Sequence, residues 1–186
     1  MHSVWKTSIL FTVVTAILVG LGYPLAVTGI AELVFPHQAG GSLILKNGRV
    51  IGSSLLAQSF TSDRYFHPRP SANNYDATNS GGSNLAQTNS ILIKRIQGDI
   101  DKFEKENPGK PVPIDLITES GSGLDPDITP DDANYQAPRV AKTRGLSVAA
   151  VRQLIAQHTS PRELGFLGEP RVNVLKLNLV LDKISK

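Results

Sequence analysis

Between Lys6 and Glu32 the chain reads TSILFTVVTAILVGLGYPLAVTGIA, residues 7–31, without one charged side chain. A helix rises 1.5 Å per residue, so a hydrocarbon core roughly 30 Å thick needs about 20 mostly apolar residues. This stretch has that length. The remainder of the chain is polar, rich in glycine and proline, and at roughly 150 residues the size of one ordinary domain. The sequence therefore predicts a membrane anchor over residues 1–35 and one soluble domain over residues 36–186. A cleaved leader is the competing reading, but its apolar core runs about 7–15 residues and ends at a small-x-small site. Here the charge-free run is longer and no clear Ala-x-Ala comes after it. Pro24 predicts a kink, because proline lacks a backbone donor and clashes with the preceding turn. Gly20, Gly22 and Gly29 either let another helix approach or simply sit in lipid.

Composition narrows the function classes. The chain holds 19 basic and 16 acidic side chains and no cysteine. The small positive excess contains no run of Lys or Arg, so nucleic-acid binding has little support. Without cysteine there are no disulfides, zinc-thiolate sites or cysteine nucleophiles, and the domain suits either side of a membrane. Lys6 lies on one side of the anchor, Lys46 and Arg49 on the other, so charge leaves the orientation open.

The domain reads as α+β, mixed helix and short strand. Residues 36–41 form a hinge. Residues 42–45 and 50–51 are short apolar runs about Asn47-Gly48, a pair that accepts positive φ and predicts a hairpin turn. Residues 59–89 have loop composition, yet Tyr65, Phe66 and Tyr75 predict that the loop is packed down. Ile91, Leu92, Ile96, Ile100 and Phe103 recur at helical spacing and predict a helix over 88–106. Residues 113–117 read as a short strand. Thr129-Pro130-Asp131-Asp132 is a helix start, with Thr as cap, Pro at the first position and two acids against the dipole. That helix runs to Arg144 and stops at Gly145. Ser147 opens another, through about His158. Residues 172–184 fit either period, with helix preferred.

Enzyme motifs are weak. No Gly-x-x-x-x-Gly-Lys-Ser/Thr loop and no phosphorylatable Asp-Lys-Thr-Gly-Thr is present. Asp125-x-Asp127-x-Thr129 opens like a calcium loop, but Pro130 stands at the glycine position and Gln136 at the final acid. In the plainer reading Asp125-Pro126 makes a turn and Asp131 and Asp132 serve the helix start. Ser120, Ser122, His67, His158 and Asp115 supply the types for a hydrolase triad, but no Gly-x-Ser-x-Gly elbow holds either serine. Arg69, Arg139 and Arg144 either fork to a carboxylate or phosphate ligand, or pair with the acidic segment 119–132 within the domain.

Several stretches together carry a resemblance. Tyr65-Phe66-His67-Pro68-Arg69-Pro70-Ser71-Ala72, Ser80-Gly81-Gly82-Ser83-Asn84-Leu85, Pro113-Ile114-Asp115-Leu116-Ile117-Thr118 and Ser120-Gly121-Ser122-Gly123-Leu124-Asp125-Pro126 resemble the KdpC family of potassium-transporting ATPase subunits. Gly41-Ser42-Leu43-Ile44, Gln58-Ser59-Phe60, Arg139-Val140-Ala141-Lys142, Val172-Asn173-Val174-Leu175 and Leu177-Asn178-Leu179 match in order. Pro68 stands where some members have glycine.

The resemblance implies a non-catalytic accessory subunit of a bacterial inner-membrane complex, the Kdp complex, that imports potassium using ATP. Its implied partners are the ATP-hydrolysing subunit and the potassium-channel-like subunit. It further implies a catalytic chaperone that raises ATP affinity through a ternary complex, with Gln58 the candidate nucleotide contact. It places the amino terminus in the cytoplasm and the domain extracytoplasmic, in the periplasm. That topology conflicts with direct contact to cytoplasmic ATP, so the domain acts on hydrolysis indirectly, by favouring one conformational state, and caps or stabilises the channel-like subunit. Two other classes stay open: an anchored extracytoplasmic ligand-binding module using loop 65–85, and an anchored hydrolase using Ser120 or Ser122. Asp125 and Asp127 are close enough to suggest a cation-concentrating pair at a channel mouth.

Overall fold

The computed structural model describes residues 2–184. The chain divides into two compact units, Met1–Ile51 and Gly52–Lys186.

In the first unit, α1 (His2–Ile17) passes through a π-turn (Leu18–Gly22) into α2 (Tyr23–Val34). Ser3–Val34 is long and apolar enough to cross a membrane, and none of its most apolar window is buried against protein. Pro24 does not break the helix. The backbone N–H of Tyr23 reaches back five residues to the Leu18 carbonyl, and this wider turn gives room to a ring that would otherwise press on the carbonyl four residues earlier. Hydroxyls within α1 are also satisfied internally: Thr7 donates to the Ser3 carbonyl at 2.9 Å, Thr12 to Ser8 at 2.9 Å and Thr15 to Phe11 at 2.7 Å. In a lipid environment such local bonds matter because water is not there to replace them. A single turn, α3 (Pro36–Ala39), occupies the expected hinge. The hairpin pairs β1 (Leu43–Lys46) with β2 (Arg49–Ser53), and both turn residues, Asn47 and Gly48, have positive φ as their types predict.

The second unit is built on a small antiparallel sheet of order β3-β5-β4, from β3 (Asp127–Ile128), β4 (Thr159–Ser160) and β5 (Arg171–Asn173). Val172 at its centre faces Ile128 on one side and Thr159 on the other. Over it pack α5 (Pro130–Arg144), α6 (Val148–Gln157) and α7 (Val174–Ile184). Phe66, Val140, Val151, Ile155, Val172, Leu177 and Leu181 are all buried in that core. Both α5 termini are written in local chemistry. The Thr129 hydroxyl accepts from the Asp132 N–H at 3.2 Å, and Gly145 closes the far end at φ 67°, a conformation glycine adopts without a Cβ penalty. Ser147 caps α6 in the same way, accepting from the Ala150 N–H at 3.1 Å. A second cluster joins α4 (Ser90–Glu106) to the unit through Phe103, Leu116 and Tyr135, with Phe103 edge-on to Tyr135.

Two expectations are corrected. Residues 113–117 are not a strand: Ile114–Leu116 is a 3-10 turn entered from Pro113. Pro111 and Pro113 remove ladder donors there, which argues against a strand. The apolar tail 172–184 is not uniform either, since its first residues belong to β5 and the helix starts at Val174.

Candidate functional site

The segment 65–71 is backbone without regular structure, yet its polar groups are paired by two buried amides. Asn178 on α7 accepts from the Phe66 N–H and donates to the Phe66 carbonyl, both at 2.9 Å. Gln136 on α5 does the same for His67, at 2.8 and 3.1 Å. Each amide thus occupies the place of a neighbouring strand. Both side chains lie in the core, and an unpaired backbone group there carries a desolvation penalty.

Two arginines brace the same segment. Arg139 donates to the carbonyls of Asp63 at 2.7 Å and Tyr65 at 3.0 Å, and to the Gln136 amide oxygen at 2.7 Å, and pairs with Glu106 at 3.2 Å. Arg144 donates to the Arg64 carbonyl, pairs with Asp182 at 2.9 Å and lies 4.9 Å over the Tyr65 ring. The Tyr65 hydroxyl completes this knot by donating to Asp182. Both guanidinium groups are thus engaged inside the domain.

Beyond Pro70 three motif segments are laced together. The Ser120 N–H donates to the Pro70 carbonyl at 2.9 Å, the Ser71 hydroxyl to the Gly123 carbonyl at 2.7 Å, and the Gly81 N–H to the Ser122 carbonyl at 2.8 Å. Gly123 sits at φ 70°, and a Cβ there would lie 2.8 Å from the Gly81 oxygen. Only glycine suits such a position.

The lacing leaves a charged cleft of about 260 Å³ lined by Arg69, Asp115, Asp125, Asp127, Glu169 and Arg171 among others. Arg69 pairs with Asp125 at 3.2 Å, and Arg171 with Asp127 at 3.4 Å. Burial pushes the Asp127 carboxyl up, against an Asn173 amide bond that pulls it down. Asp132 stands apart: it has no exposed surface, and neither carboxylate oxygen has a hydrogen-bond partner. Burial, helped by the nearby Asp115 charge, pushes its pKa up to about 7. On segment 65–71, burial and then the charge of Arg139 push His67 down to about 4.

Of the candidate residues, Arg69 takes the intradomain pairing with the acidic segment. Arg139 and Arg144 are also paired internally, but with Glu106 and Asp182 rather than with 119–132. Asp125 and Asp127 share the cleft, each held by an arginine. Among the described residues no group of three His, Cys, Asp or Glu is placed to hold a metal. The triad types are not brought together: the Ser120 hydroxyl faces that of Ser122 at 3.1 Å, His67 Nε2 faces the Ser62 carbonyl, and His158 Nδ1 the Leu154 carbonyl. Gln58 is half-buried, its amide folded against Gly52 beside Leu175. Sequence reasoning passed over Gln136, Asn178 and the burial of Asp132. The available signal was polarity in an apolar setting, as in Leu177-Asn178-Leu179.

Against known proteins, the family model KdpC, described as the K+-transporting ATPase c chain, matches residues 5–183. A potassium-transporting ATPase KdpC subunit of Acidobacterium capsulatum is 56% identical over 182 residues, covering 96% of this chain and 97% of that protein. One from Koribacter versatilis is 54% identical over 178 residues, covering 95% and 92%. Another, from Rhodopseudomonas palustris, is 52% identical over 191 residues, covering 95% and 96%.

Proposed function

This chain belongs to the KdpC family, the c chain of K+-transporting ATPases, and on that premise we propose that it is a non-catalytic subunit of an ATP-driven potassium-import complex of the inner membrane. The observation that carries this reading is the match over residues 5–183, which takes in the apolar span and the folded unit together. Supporting it, the motif-bearing segments spend their polar groups on one another, which suits a rigid accessory body. Ser3–Val34 crosses the membrane once with the amino terminus in the cytoplasm, and residues 36–186 form the periplasmic domain. Its partners are the ATP-hydrolysing subunit and the potassium-channel-like subunit.

The subunit raises ATP affinity as a catalytic chaperone by preferring one conformational state of the pump, since a ligand or subunit shifts an equilibrium only through its differential affinity for the two states. Gln58 is the residue for direct nucleotide contact in the version where the domain meets ATP. With the domain in the periplasm that contact does not arise.

The test is co-purification. A carboxyl-terminal tag on the full chain, extracted in mild detergent from potassium-starved cells, is expected to recover both partner subunits in fixed proportion. Recovery of the chain alone, from cells that make those subunits, would overturn the assignment. Removing the chain from the assembled pump is expected to raise the KM for ATP; an unchanged KM would remove the chaperone role and leave the assembly role standing.

A further inference from the structure

The apolar surface of the first unit continues past Glu32, for Leu33, Val34 and Phe35 are all exposed. Beyond α2 the linker folds back: the Ser42 N–H donates to the His37 carbonyl at 2.9 Å, and Gly41 to Gln38 at 3.0 Å. From Val34 to His37 the backbone covers at most about 10 Å, so β1 starts within reach of the headgroup layer. The two-residue turn Asn47-Gly48 sets Lys46 opposite Arg49 and Leu45 opposite Val50. Strand residues alternate between faces, so Leu43, Leu45 and Val50 share one face of the hairpin and the two cations the other. Those three apolar side chains are 44%, 65% and 56% exposed and belong to neither buried cluster. No acidic residue stands between Glu32 and Asp63, and neither Lys46 nor Arg49 forms an ion pair among the described residues.

We propose that the β1–β2 hairpin lies on the bilayer surface, with Leu43, Leu45 and Val50 against the acyl chains and Lys46 and Arg49 on anionic lipid phosphates. This rests on the membrane-crossing reading of Ser3–Val34 above. A two-stranded hairpin is marginally stable in water by itself, and this one turns an apolar face outward. Like charges set opposite each other destabilise a strand pair, and an anion between them removes that repulsion.

Position and charge together select lipid as the occupant. The hairpin is joined to the span by the short folded-back linker, and the exposed Leu33, Val34 and Phe35 carry the lipid-facing surface of the span towards it. An interfacial element sets an apolar face into the boundary between headgroups and acyl chains and keeps basic residues on its other face, free for anionic headgroups. The hairpin has that division. Lys and Arg stems are long enough to lay their methylenes on apolar surface while the charged ends reach phosphate. Glu32 is the one acid close to this layer in sequence, and it lies on the span rather than on the hairpin.

The experiment uses the full chain, which has no cysteine of its own, in vesicles of equal parts phosphatidylcholine and phosphatidylglycerol. Leu45→Cys and Val50→Cys each carry a spin label, with Val19→Cys as the mid-span reference, and depth is read from accessibility to oxygen against a water-soluble nickel chelate. The labels at 45 and 50 are expected at or below the phosphates, and nearer to water in phosphatidylcholine alone. Lys46→Gln with Arg49→Gln is expected to abolish that difference between the two lipids. Hairpin labels in water in both lipids, or a depth indifferent to lipid charge and to the double substitution, would overturn the proposal. If the label at 19 is itself in water, the membrane-crossing reading falls and the hairpin proposal with it; if it lies in hydrocarbon while those at 45 and 50 lie in water, only the hairpin proposal falls. In the co-purified complex, Leu45→p-benzoylphenylalanine illuminated in native membranes is expected to give a lipid adduct by mass spectrometry. An adduct with a protein subunit instead, or no adduct, would overturn the choice of lipid.

Discussion

Asp132 and His67 give the folded chain opposite dependences of stability on pH. Asp132 has a folded-state pKa of about 7, raised above the ordinary carboxylate value of about 4. The native chain therefore keeps a proton that the unfolded chain has released, and the associated stability is full below pH ~4 and lost as pH rises to about 7. His67, depressed to about 4, works in the opposite sense. Its contribution is full above pH ~6.5 and lost as pH falls towards 4. Across this window the two offset one another in the parent chain. Asp132→Asn should remove one arm: the variant is expected to be more stable near pH 7.5, by on the order of 2 kcal/mol. Its unfolding temperature should climb more steeply between pH 4 and 6.5 than that of the parent. Melting curves at several pH values check both, and identical profiles for variant and parent would refute the assignment of the titrating group.

The long irregular segment before α4 is held by helices rather than by strands. Asn178 on α7 and Gln136 on α5 supply the pairing that a sheet edge would normally give. Asn178→Leu keeps the branched heavy-atom skeleton and removes both bonds, stranding the Phe66 N–H and carbonyl in the core. The expected cost is about 2–4 kcal/mol in thermal or denaturant unfolding. A loss under about 0.5 kcal/mol would mean that the segment finds other partners. The elements whose signals are local were legible in the sequence: the Asn47-Gly48 turn, the Thr129-Pro130 start, the Gly145 stop and the Ser147 cap. The three-stranded sheet was not, because strands of two or three residues carry no period. Nor were the supports of segment 65–67, since Asn178 lies 112 residues from Phe66. At the charged cleft, the pairing of Arg69 with the acidic segment was readable as one of two alternatives. The difference between Asp131 and its neighbour was not. Both stand in the first turn of α5, but one is exposed and the other fully buried, and packing alone separates them.

For the whole chain the open quantity is sidedness. Lys6 on one flank and Lys46 and Arg49 on the other leave the charge rule balanced. The absence of cysteine supplies a clean reporter. Lys142→Cys places a single thiol on the exposed surface of α5. In spheroplasts it is expected to react with a membrane-impermeant maleimide added outside, as a periplasmic domain requires. Labelling only after lysis would reverse the proposed orientation. The span itself has a further property. Its π-turn takes in one residue more than an α-turn, and each residue advances the helix by about 100°. The segment is therefore two screws of equal pitch joined out of phase. A lateral stripe followed from Thr7 to Ile17 does not continue beyond Tyr23 but re-emerges about a quarter-turn round the axis. A straight neighbour can follow one stripe through one half only, so the span offers distinct contact azimuths at its two depths.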